Sequence, residues 1–473
     1  MRKSGKHGKS GAMGAQGNLF DRAEAPVGAV NGRTGQRGEG VHEQLSRLER
    51  QRAETKSLLE EIVDYRNLRR AYEQVRQNGG TGGVDGMSVE GLKTWLEKNV
   101  ETFRQEVLAE VYKVEPVRKV EIPKPGGGVR TLGIPTVKDR MLQQAIHQVL
   151  NPHYDPHFSE SSYGFRPGRG AHDAIGQAAR YVGAGREWVV DIDLEKFFDK
   201  INHDRLMQRL SKGIGDKRLL RLINKFLQAG MMVDGLVEQR TAGTPQGGPL
   251  SPLLSNIVLD ELDRELEGRG HKFCRYADDC NIYVQSERAG QRVMESAIKF
   301  IEGKLKLRVN REKSCVRHCS TGKFLGYTIL PGGDIRVSDK SIERLKGKIR
   351  EICRRNRGVK FEQVISELNK ATMGWATYFR KANKWLGDIR AIDGWMRRKV
   401  RCYRLKQCGR KYTTYKLLCN MGIPTGKSWN VVMYSRGWWE KSNRQAVSQA
   451  MGIQWFAEQG LRSIHTEMTR KRH

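Results

Sequence analysis

The sequence predicts an α+β fold in which antiparallel strands and their helices precede a mostly helical region. Two observations predict the strands: apolar runs flank a glycine-rich turn within residues 112–135, and two more flank an acidic turn at residues 277–279. A third observation predicts the helical region, because apolar residues after Arg336 recur every three to four positions. With 473 residues, the chain is long enough for two or three domains.

The N-terminal elements follow from composition and period. Residues 1–42 are rich in glycine and basic residues, and we predict a disordered leader. A helical period follows within residues 43–77, and the glycine-rich run 78–86 ends it. In the hairpin at residues 112–135, apolar residues alternate on both sides of the turn Gly126-Gly127-Gly128.

The remaining strands are short, and acidic residues follow or join them. Residues 188–192 form a buried-strand pattern that leads into Asp193. The runs 273–276 and 280–284 predict two further strands joined across the acidic turn. In the helical region, Ser338 is a candidate N-cap for an apolar stripe that begins at Ile342.

The net charge of +32 indicates a polyanionic partner, which is nucleic acid or an anionic membrane surface. Most of the excess lies from Arg336 onward, where there are 32 basic residues and 10 acidic ones. Since no run approaches 18 uninterrupted apolar residues, we expect no membrane span. The eight cysteines form no C-x-x-C pair, so a reducing cytoplasm is expected, and Cys315, His318 and Cys319 lack the second half of a zinc site.

The carboxylates carry the most specific chemistry in the sequence. Asp278 and Asp279 are adjacent on a tight turn, where they repel each other unless a divalent cation lies nearby. Asp191 and Asp193 at the end of another strand supply a third carboxylate, and spacing alone does not decide between them. A lone Asp-Asp pair is usually an ordinary solvated turn, but the second cluster favours Mg²⁺ and in-line nucleotidyl transfer.

An ordered set of longer motifs carries a family resemblance. From about residue 60 to 460, the chain resembles the group II intron-encoded reverse transcriptases and maturases. The motifs, in chain order, are Ser162-Tyr-Gly-Phe-Arg-Pro-Gly-Arg169, Asp191-Ile-Asp-Leu-Glu-Lys-Phe-Phe-Asp199, Thr244-Pro-Gln-Gly-Gly-Pro-Leu-Ser-Pro252, Tyr276-Ala-Asp-Asp279, Leu307-Arg-Val-Asn-Arg-Glu-Lys-Ser314, Phe324-Leu-Gly-Tyr327, Gly374-Trp-Ala-Thr-Tyr-Phe379 and Ile392-Asp-Gly-Trp-Met-Arg-Arg-Lys-Val400.

The resemblance implies a right-hand polymerase. Fingers and palm would occupy residues 43–335, a helical thumb or maturase domain residues 336–425, and a basic nucleic-acid-binding tail residues 426–473. The resemblance places the catalytic metal ligand of the first motif at Asp193. Two Mg²⁺ ions are expected, with the ligands Asp193, Asp278 and Asp279.

The resemblance also implies binding roles for further residues. Those that would contact the incoming dNTP are Lys124, Arg130, Phe198, Gln246 and Lys313. Those of the loop that would grip the primer are Phe324, Leu325, Gly326 and Tyr327. Candidates for RNA phosphate contacts in the helical region are Arg397, Arg398, Lys399, Arg401 and Arg404.

The expected partners are group II intron RNA, an RNA template, a DNA primer or target, and dNTPs, with no membrane. The oligomeric state is open. We expect an RNA-directed DNA polymerase that assists splicing and retrohoming and is cytoplasmic, associated with the nucleoid. Since the segment from Ser428 onward lacks cysteine, we expect no endonuclease domain. Two rival hypotheses are a splicing-only maturase and a reverse transcriptase domesticated for DNA repair or phage defence.

Overall fold

A computed structural model describes residues 57–123, 128–233, 236–238, 242–245 and 247–470. It divides the chain into two compact units. Within the described residues, the first unit comprises parts of 57–159, 195–261 and 305–308, and the second comprises 160–194, 262–304 and 309–470. Several features predicted above lie outside the described residues: the leader 1–42, residues 43–56 of the predicted helical period, Gly126 and Gly127 of the hairpin turn, Lys124 and Gln246.

The structure is α+β, as predicted. The strands are β1 (Val117–Pro123), β2 (Val129–Ile134), β3 (Trp188–Ile192), β4 (Met231–Val233), β5 (Leu236–Glu238), β6 (Lys272–Tyr276), β7 (Asp279–Val284), β8 (Cys315–His318), β9 (Tyr327–Ile329) and β10 (Ile335–Val337). The helices are α1 (Leu58–Ile62), α2 (Tyr65–Asn78), α3 (Val89–Leu108), α4 (Val137–Tyr154), α5 (Ala171–Gly183), α6 (Phe197–Lys200), α7 (His203–Gly213), α8 (Lys217–Gln228), α9 (Ser251–Gly268), α10 (Glu287–Phe300), α11 (Asp339–Ile352), α12 (Phe361–Tyr378), α13 (Leu386–Gln407), α14 (Lys411–Asn420), α15 (Thr425–Met433), α16 (Trp438–Lys441), α17 (Gln445–Ala450), α18 (Ile453–Glu458) and α19 (Ile464–Thr469).

The first unit contains a mixed four-stranded sheet in the order β2-β1-β4-β5. β1 and β2 form the predicted antiparallel hairpin, in which Ile122 pairs with Arg130, whereas β1 runs parallel to β4. Beside the sheet, α4 packs against α2, and Leu68, Leu142 and Ile146 are buried there. This apolar contact holds the helices of the unit together.

A buried carboxyl lies at the start of α4. Asp139 accepts hydrogen bonds from the hydroxyls of Thr136 (2.7 Å) and Tyr112 (2.9 Å). Burial raises the pKa of Asp139 to about 6, although both hydroxyl contacts oppose that rise. The side chain therefore takes up a proton well above the pH at which an exposed aspartate does.

The second unit is built around an antiparallel sheet in the order β6-β7-β3-β8. β3 is an inner strand, and its residues Val190 and Ile192 are buried. Helix α5 packs against β6, and α10 packs against β3 and β8. Asp191 alternates with these buried residues along β3, and Asp193 is the residue that follows the strand, so both aspartates are less buried than Val190 and Ile192.

The rest of the second unit is the two-stranded sheet β9–β10 followed by helices α11 to α19. Their shared core is apolar and includes Leu345, Ile349, Leu368, Val400, Leu418 and Ile464. Buried Asp393 on α13 accepts hydrogen bonds from the backbone N–H groups of Ile464 (2.9 Å) and His465 (3.0 Å). This carboxylate thereby caps the last helix and attaches it to α13.

One predicted helical segment and one predicted N-cap differ in detail from the structure. The period predicted over residues 43–77 is interrupted after Ile62, and Asp64 caps α2 by accepting the N–H of Arg66 (2.9 Å). Ser338 precedes α11 as predicted, but its hydroxyl lies 3.0 Å from that of Ser341 and makes no capping bond. Of the helices in the described part of the chain, none is both long and apolar enough to cross a membrane.

Candidate active site

Three predicted catalytic carboxylates lie near one another where β3 ends and β7 begins. β3 ends at Ile192, which pairs with Cys280 near the start of β7. One further step along the same register sets Asp193 opposite Asp279, and Asp278 precedes Asp279 in the turn between β6 and β7. The antiparallel pairing therefore brings carboxylates together that are 85 and 86 residues apart in the sequence.

The electrostatics of Asp279 reflect this clustering. Burial, followed by the nearby charges of Asp191 and Asp278, raises the pKa of Asp279 to about 7, and Asp193 adds to the effect. Lys323 opposes the rise. Repulsion among these carboxylates is costly in the absence of a cation.

Asp191 and Asp193, which the sequence pattern left as alternatives, have different surroundings. Asp191 forms an ion pair with Arg317 of β8, although burial still raises the pKa of this aspartate. Asp193 is held through its backbone: its N–H donates to the Ser314 hydroxyl (2.9 Å), and its carbonyl accepts from the Asn310 N–H (2.8 Å). The Asp191 carboxylate is therefore engaged by an arginine, while the position of Asp193 is fixed by its main chain.

A fully buried ion pair supports the acidic turn. Arg275 and Asp263 both have 0% side-chain exposure. The guanidinium donates to both carboxylate oxygens of Asp263, from Nε at 2.7 Å and from Nη2 at 2.5 Å. It also donates to the carbonyl of Ala277 (2.9 Å) and to the hydroxyl of Ser162 (2.8 Å). One buried arginine thus connects the turn, helix α9 and the segment that contains Ser162.

The backbone of the turn is strained and closely packed. Ala277 has φ +58°, which is unusual for a residue other than glycine. A Cβ atom at Gly164 would overlap the Ala277 backbone nitrogen and lie 2.9 Å from the Tyr276 carbonyl carbon. Gly164 therefore lets its own backbone approach the turn. Such strain persists where the surrounding contacts determine the conformation strongly.

The predicted primer-grip segment is a tight β-hairpin turn. Phe324 and Tyr327 exchange backbone hydrogen bonds of 2.9 Å in both directions. The two central residues, Leu325 and Gly326, have φ +49° and +83°, which is the pattern of a type I′ turn. Tyr378 fixes the turn, because its hydroxyl donates to the Leu325 carbonyl (2.9 Å) and its carbonyl accepts from the Tyr327 hydroxyl.

The predicted nucleotide-binding residues that are described lie in both units. In the first unit, Arg130 is exposed on β2, and half-buried Phe198 lies on α6 with its ring against that of Phe197. The N–H of Thr244 donates to the Phe198 carbonyl (2.7 Å), which brings the Pro/Gly-rich loop to α6. In the second unit, Lys313 is exposed in a turn rather than in a helix.

The predicted RNA-binding residues on α13 are half-buried rather than freely extended. Arg398 lies over the ring of Trp439 at 3.8 Å and donates to the carbonyl of the same residue (3.2 Å). Arg401 donates to the Met451 carbonyl (3.2 Å), and Arg404 lies over the Phe361 ring at 5.6 Å. Their aliphatic stems therefore contribute to packing as well as to charge.

The carboxylates suit a divalent cation in chemistry and in charge. Among the residues that the structure describes, no three His, Cys, Asp or Glu side chains converge closely enough to enclose a metal by themselves. Mg²⁺ does not require such a cage, because it commonly keeps waters and uses one or two carboxylates together with substrate phosphates. Burial and then carboxylate repulsion raise the pKa of Asp279, and a cation at this end of the strands would relieve the repulsion.

Sequence reasoning did not identify the supporting residues Arg275, Asp263 and Gly164. The one available signal was a charged residue within the apolar run of β6, since a buried arginine requires a partner. The identity of that partner and the contact of Gly164 depend on tertiary structure. The sequence pattern contains neither.

Two family models match the chain. Residues 122–329 match the model of the family described as "Reverse transcriptase (RNA-dependent DNA polymerase)". Residues 342–418 match the model described as "Group II intron, maturase-specific domain". The first match contains the carboxylates of the acidic turn, and the second covers α12 and α13.

Several curated relatives match over more than half of the chain, and two of them illustrate the similarity. Protein YkfC of Escherichia coli strain K12 is 35% identical over 289 residues, which are 53% of this chain and 76% of that protein. The group II intron-encoded protein LtrA of Lactococcus lactis subsp. cremoris is 30% identical over 349 residues, which are 59% of this chain and 57% of LtrA. The structure of telomerase from Candida albicans is a weak structural match: it aligns with 81% of this chain and 69% of the telomerase chain, at 12% identity and a TM-score of 0.40. The sequence and family matches show that the chain belongs to the group II intron reverse transcriptase/maturase family and contains an RNA-dependent DNA polymerase domain.

Proposed function

We propose that the protein is the RNA-directed DNA polymerase of a group II intron, and that it also binds intron RNA and assists splicing and retrohoming. The observation that carries the proposal is one chain that joins a cluster of polymerase carboxylates to a basic region matching the maturase-specific domain. The acidic turn supports polymerisation, and the basic helices support binding of a structured polyanion.

In the polymerisation reaction, Asp193, Asp278 and Asp279 would hold two Mg²⁺ ions. Bound Mg²⁺ supplies Lewis-acid stabilisation of the charge that develops during phosphoryl transfer. The protein's own contribution is to fix the carboxylates: the strained Ala277 turn and the main-chain bonds of Asp193 hold them before substrate arrives.

The remaining roles concern substrate placement. Lys124, Arg130, Gln246 and Lys313 would contact the incoming triphosphate, and the ring of Phe198 would exclude a ribose 2′-hydroxyl. The turn from Phe324 to Tyr327 would position the primer end, since Tyr378 keeps its geometry fixed. The basic residues for intron RNA would be Arg397, Arg398, Lys399, Arg401 and Arg404. We propose the domain limits 43–335, 336–425 and 426–473 for these activities.

Primer extension on an RNA template with Mg²⁺ and dNTPs tests the polymerase, and Asp278→Asn is the matched variant because it keeps the side-chain shape. We expect extension by the wild type alone. In parallel, a transcript of the genomic region around the coding sequence, which we expect to contain a group II intron, is incubated at a Mg²⁺ concentration too low for self-splicing. Both proteins should stimulate splicing, because the substitution leaves the basic helices intact.

The outcomes separate the rival hypotheses. Extension by Asp278→Asn would show that the carboxylate assignment is wrong. Splicing without extension by the wild type would indicate a maturase without polymerase activity. Extension without any stimulation of splicing would indicate a reverse transcriptase that serves another process, such as DNA repair or phage defence.

A further inference from the structure

Three aromatic rings form a stack at the surface of helices α14 and α15. The ring centroids of Tyr412 and Tyr415 are 5.9 Å apart with an interplanar angle of 25°, and those of Tyr415 and Trp429 are 4.4 Å apart at 18°. Both ends of the stack reach solvent, because Tyr412 is 56% exposed and Trp429 is 37% exposed. Among the rings of the described residues, only that of Tyr415 stacks on Trp429.

Exposed apolar and basic side chains surround this stack. Met433 and Tyr434 at the end of α15 are both exposed. Lys416 places its ammonium group 4.9 Å from the Tyr412 ring centroid, and Lys411 and Lys427 are exposed on the same two helices. A contiguous exposed aromatic patch is rare on a protein surface unless the patch binds something.

The chain segment that carries the stack has charged residues of a single sign. Residues 394–439 contain 11 lysines and arginines and no aspartate or glutamate. A basic region without acidic partners is complementary to a polyanion and disfavours basic protein partners. Cations beside open aromatic faces therefore fit a ligand that combines phosphates with flat rings.

The chemistry of unpaired RNA meets both requirements. In duplex DNA the bases are stacked inside the helix, whereas RNA loops and bulges present splayed bases that stack on aromatic side chains. We infer that the rings of Tyr412, Tyr415 and Trp429 form a platform on which unpaired bases of RNA stack, while Lys416 and its neighbours contact the phosphates. The inference rests on the proposed function only in taking RNA as the ligand, and it does not require polymerisation.

Photo-crosslinking to the full wild-type chain locates the contact directly. The probe is an RNA hairpin whose single-stranded loop carries 5-iodouridine, and irradiation is performed without dNTPs. We expect mass spectrometry to find the crosslinked base on Tyr412 or Trp429. Crosslinks confined to residues outside α14 and α15 would overturn the inference.

Affinity measurements on variants give a second test. Each of Trp429→Leu and Tyr412→Leu should weaken binding of the same hairpin by about 5- to 150-fold, which is the range for loss of one base–aromatic stack. The salt dependence should not change, because neither substitution removes a charge. Lys416→Gln should instead reduce the salt slope by about one.

Trp385→Leu is the matched control. Trp385 is also an exposed tryptophan, at 55%, and a cation lies over it, with Arg336 at 4.3 Å, but it is outside the stack. This substitution should leave hairpin affinity within about twofold, a change well below the loss of one stack. Circular dichroism confirms that each variant is folded, and the wild-type crosslink decides the question if a variant is not.

Three results would overturn the inference. The first is an unchanged affinity in folded Trp429→Leu and Tyr412→Leu. The second is an equal loss of affinity for a fully paired RNA, since such an RNA offers no splayed base. The third is tighter binding of a single-stranded DNA of the loop sequence, lost in the same variants, which would assign the platform to DNA. Because no measurement includes dNTPs, each result can be interpreted even if the protein proves to have no polymerase activity.

Discussion

The buried pair of Arg275 and Asp263 offers the sharpest test of how the acidic turn is held. Both side chains have 0% exposure, and the guanidinium donates to both carboxylate oxygens of Asp263 as well as to the Ala277 carbonyl and the Ser162 hydroxyl. Asp263→Leu would leave a buried cation without its counter-charge, which costs about 3–5 kcal/mol of folding free energy. The loss of unfolding free energy is measured by urea denaturation of the full chain, followed by its tryptophan fluorescence.

A double variant separates stability from catalysis. Arg275→Met combined with Asp263→Leu removes both charges, and most of the lost stability should return because no unpaired charge stays buried. The Ala277 carbonyl still loses its donor, and an unsatisfied buried acceptor costs about 1–3 kcal/mol. If the cost of the unsatisfied Ala277 carbonyl is added to the activation free energy of extension, kcat for primer extension falls by about 5- to 150-fold while KM changes little.

An exposed pair serves as the control. Lys348 and Glu351 form a 2.9 Å ion pair on α11, and more than half of each side chain is exposed. Glu351→Leu should change the unfolding free energy by less than about 1 kcal/mol. The reasoning is refuted if Asp263→Leu is equally mild, or if the double variant recovers full kcat together with its stability.

Three further predictions concern single positions. Gly164→Ala should reduce extension at least tenfold in a chain that remains folded, since its Cβ would displace the Ala277 turn; wild-type kcat would contradict this. Because the pKa of Asp139 is raised in the folded state, the stability that this residue contributes is fully present below pH 3.8 and is lost as pH rises through about 6. In urea denaturation across this pH range, Asp139→Asn should remove about 3 kcal/mol of the pH dependence of the unfolding free energy, and an unchanged pH profile would contradict this. Phe198→Val should raise ribonucleotide incorporation roughly 10- to 200-fold relative to dNTPs in competitive primer extension, and an unchanged ratio would exclude Phe198 from sugar selection.

The strands and the acidic turn were predictable because their signal is local. A short apolar run defined β3 and alternating apolar residues defined the β1–β2 hairpin, and each carboxylate cluster followed or joined strands. The meeting of Asp193 with the turn required only that β3 and β7 be antiparallel neighbours. The interruption of the first helical period was less visible, although Asp64 is a residue type that commonly begins a helix.

The support of the turn was not predictable, because it depends on tertiary contacts. An arginine in a strand usually indicates a solvent-facing position, and only the fold shows that Asp263, 12 residues earlier on α9, meets Arg275 in the interior. The contact of Gly164 was not predictable for the same reason: its motif was recognised, but its contact with Ala277 joins residues that are 113 positions apart in the sequence. Local periodicity does not encode such pairings.

The basic helices show how charge and packing are combined in this protein. Burial, followed by repulsion from Arg397 and Arg398, lowers the pKa of Arg401, so these cations are held together at a cost in free energy. Aromatic rings under Arg398 and Lys399 offset part of that cost, but no acidic residue lies within 394–439 to neutralise them. A bound polyanion would relieve the remaining repulsion. The region that matches the maturase-specific domain and its continuation are therefore expected to gain stability when nucleic acid binds, since a ligand that binds only the folded state stabilises it.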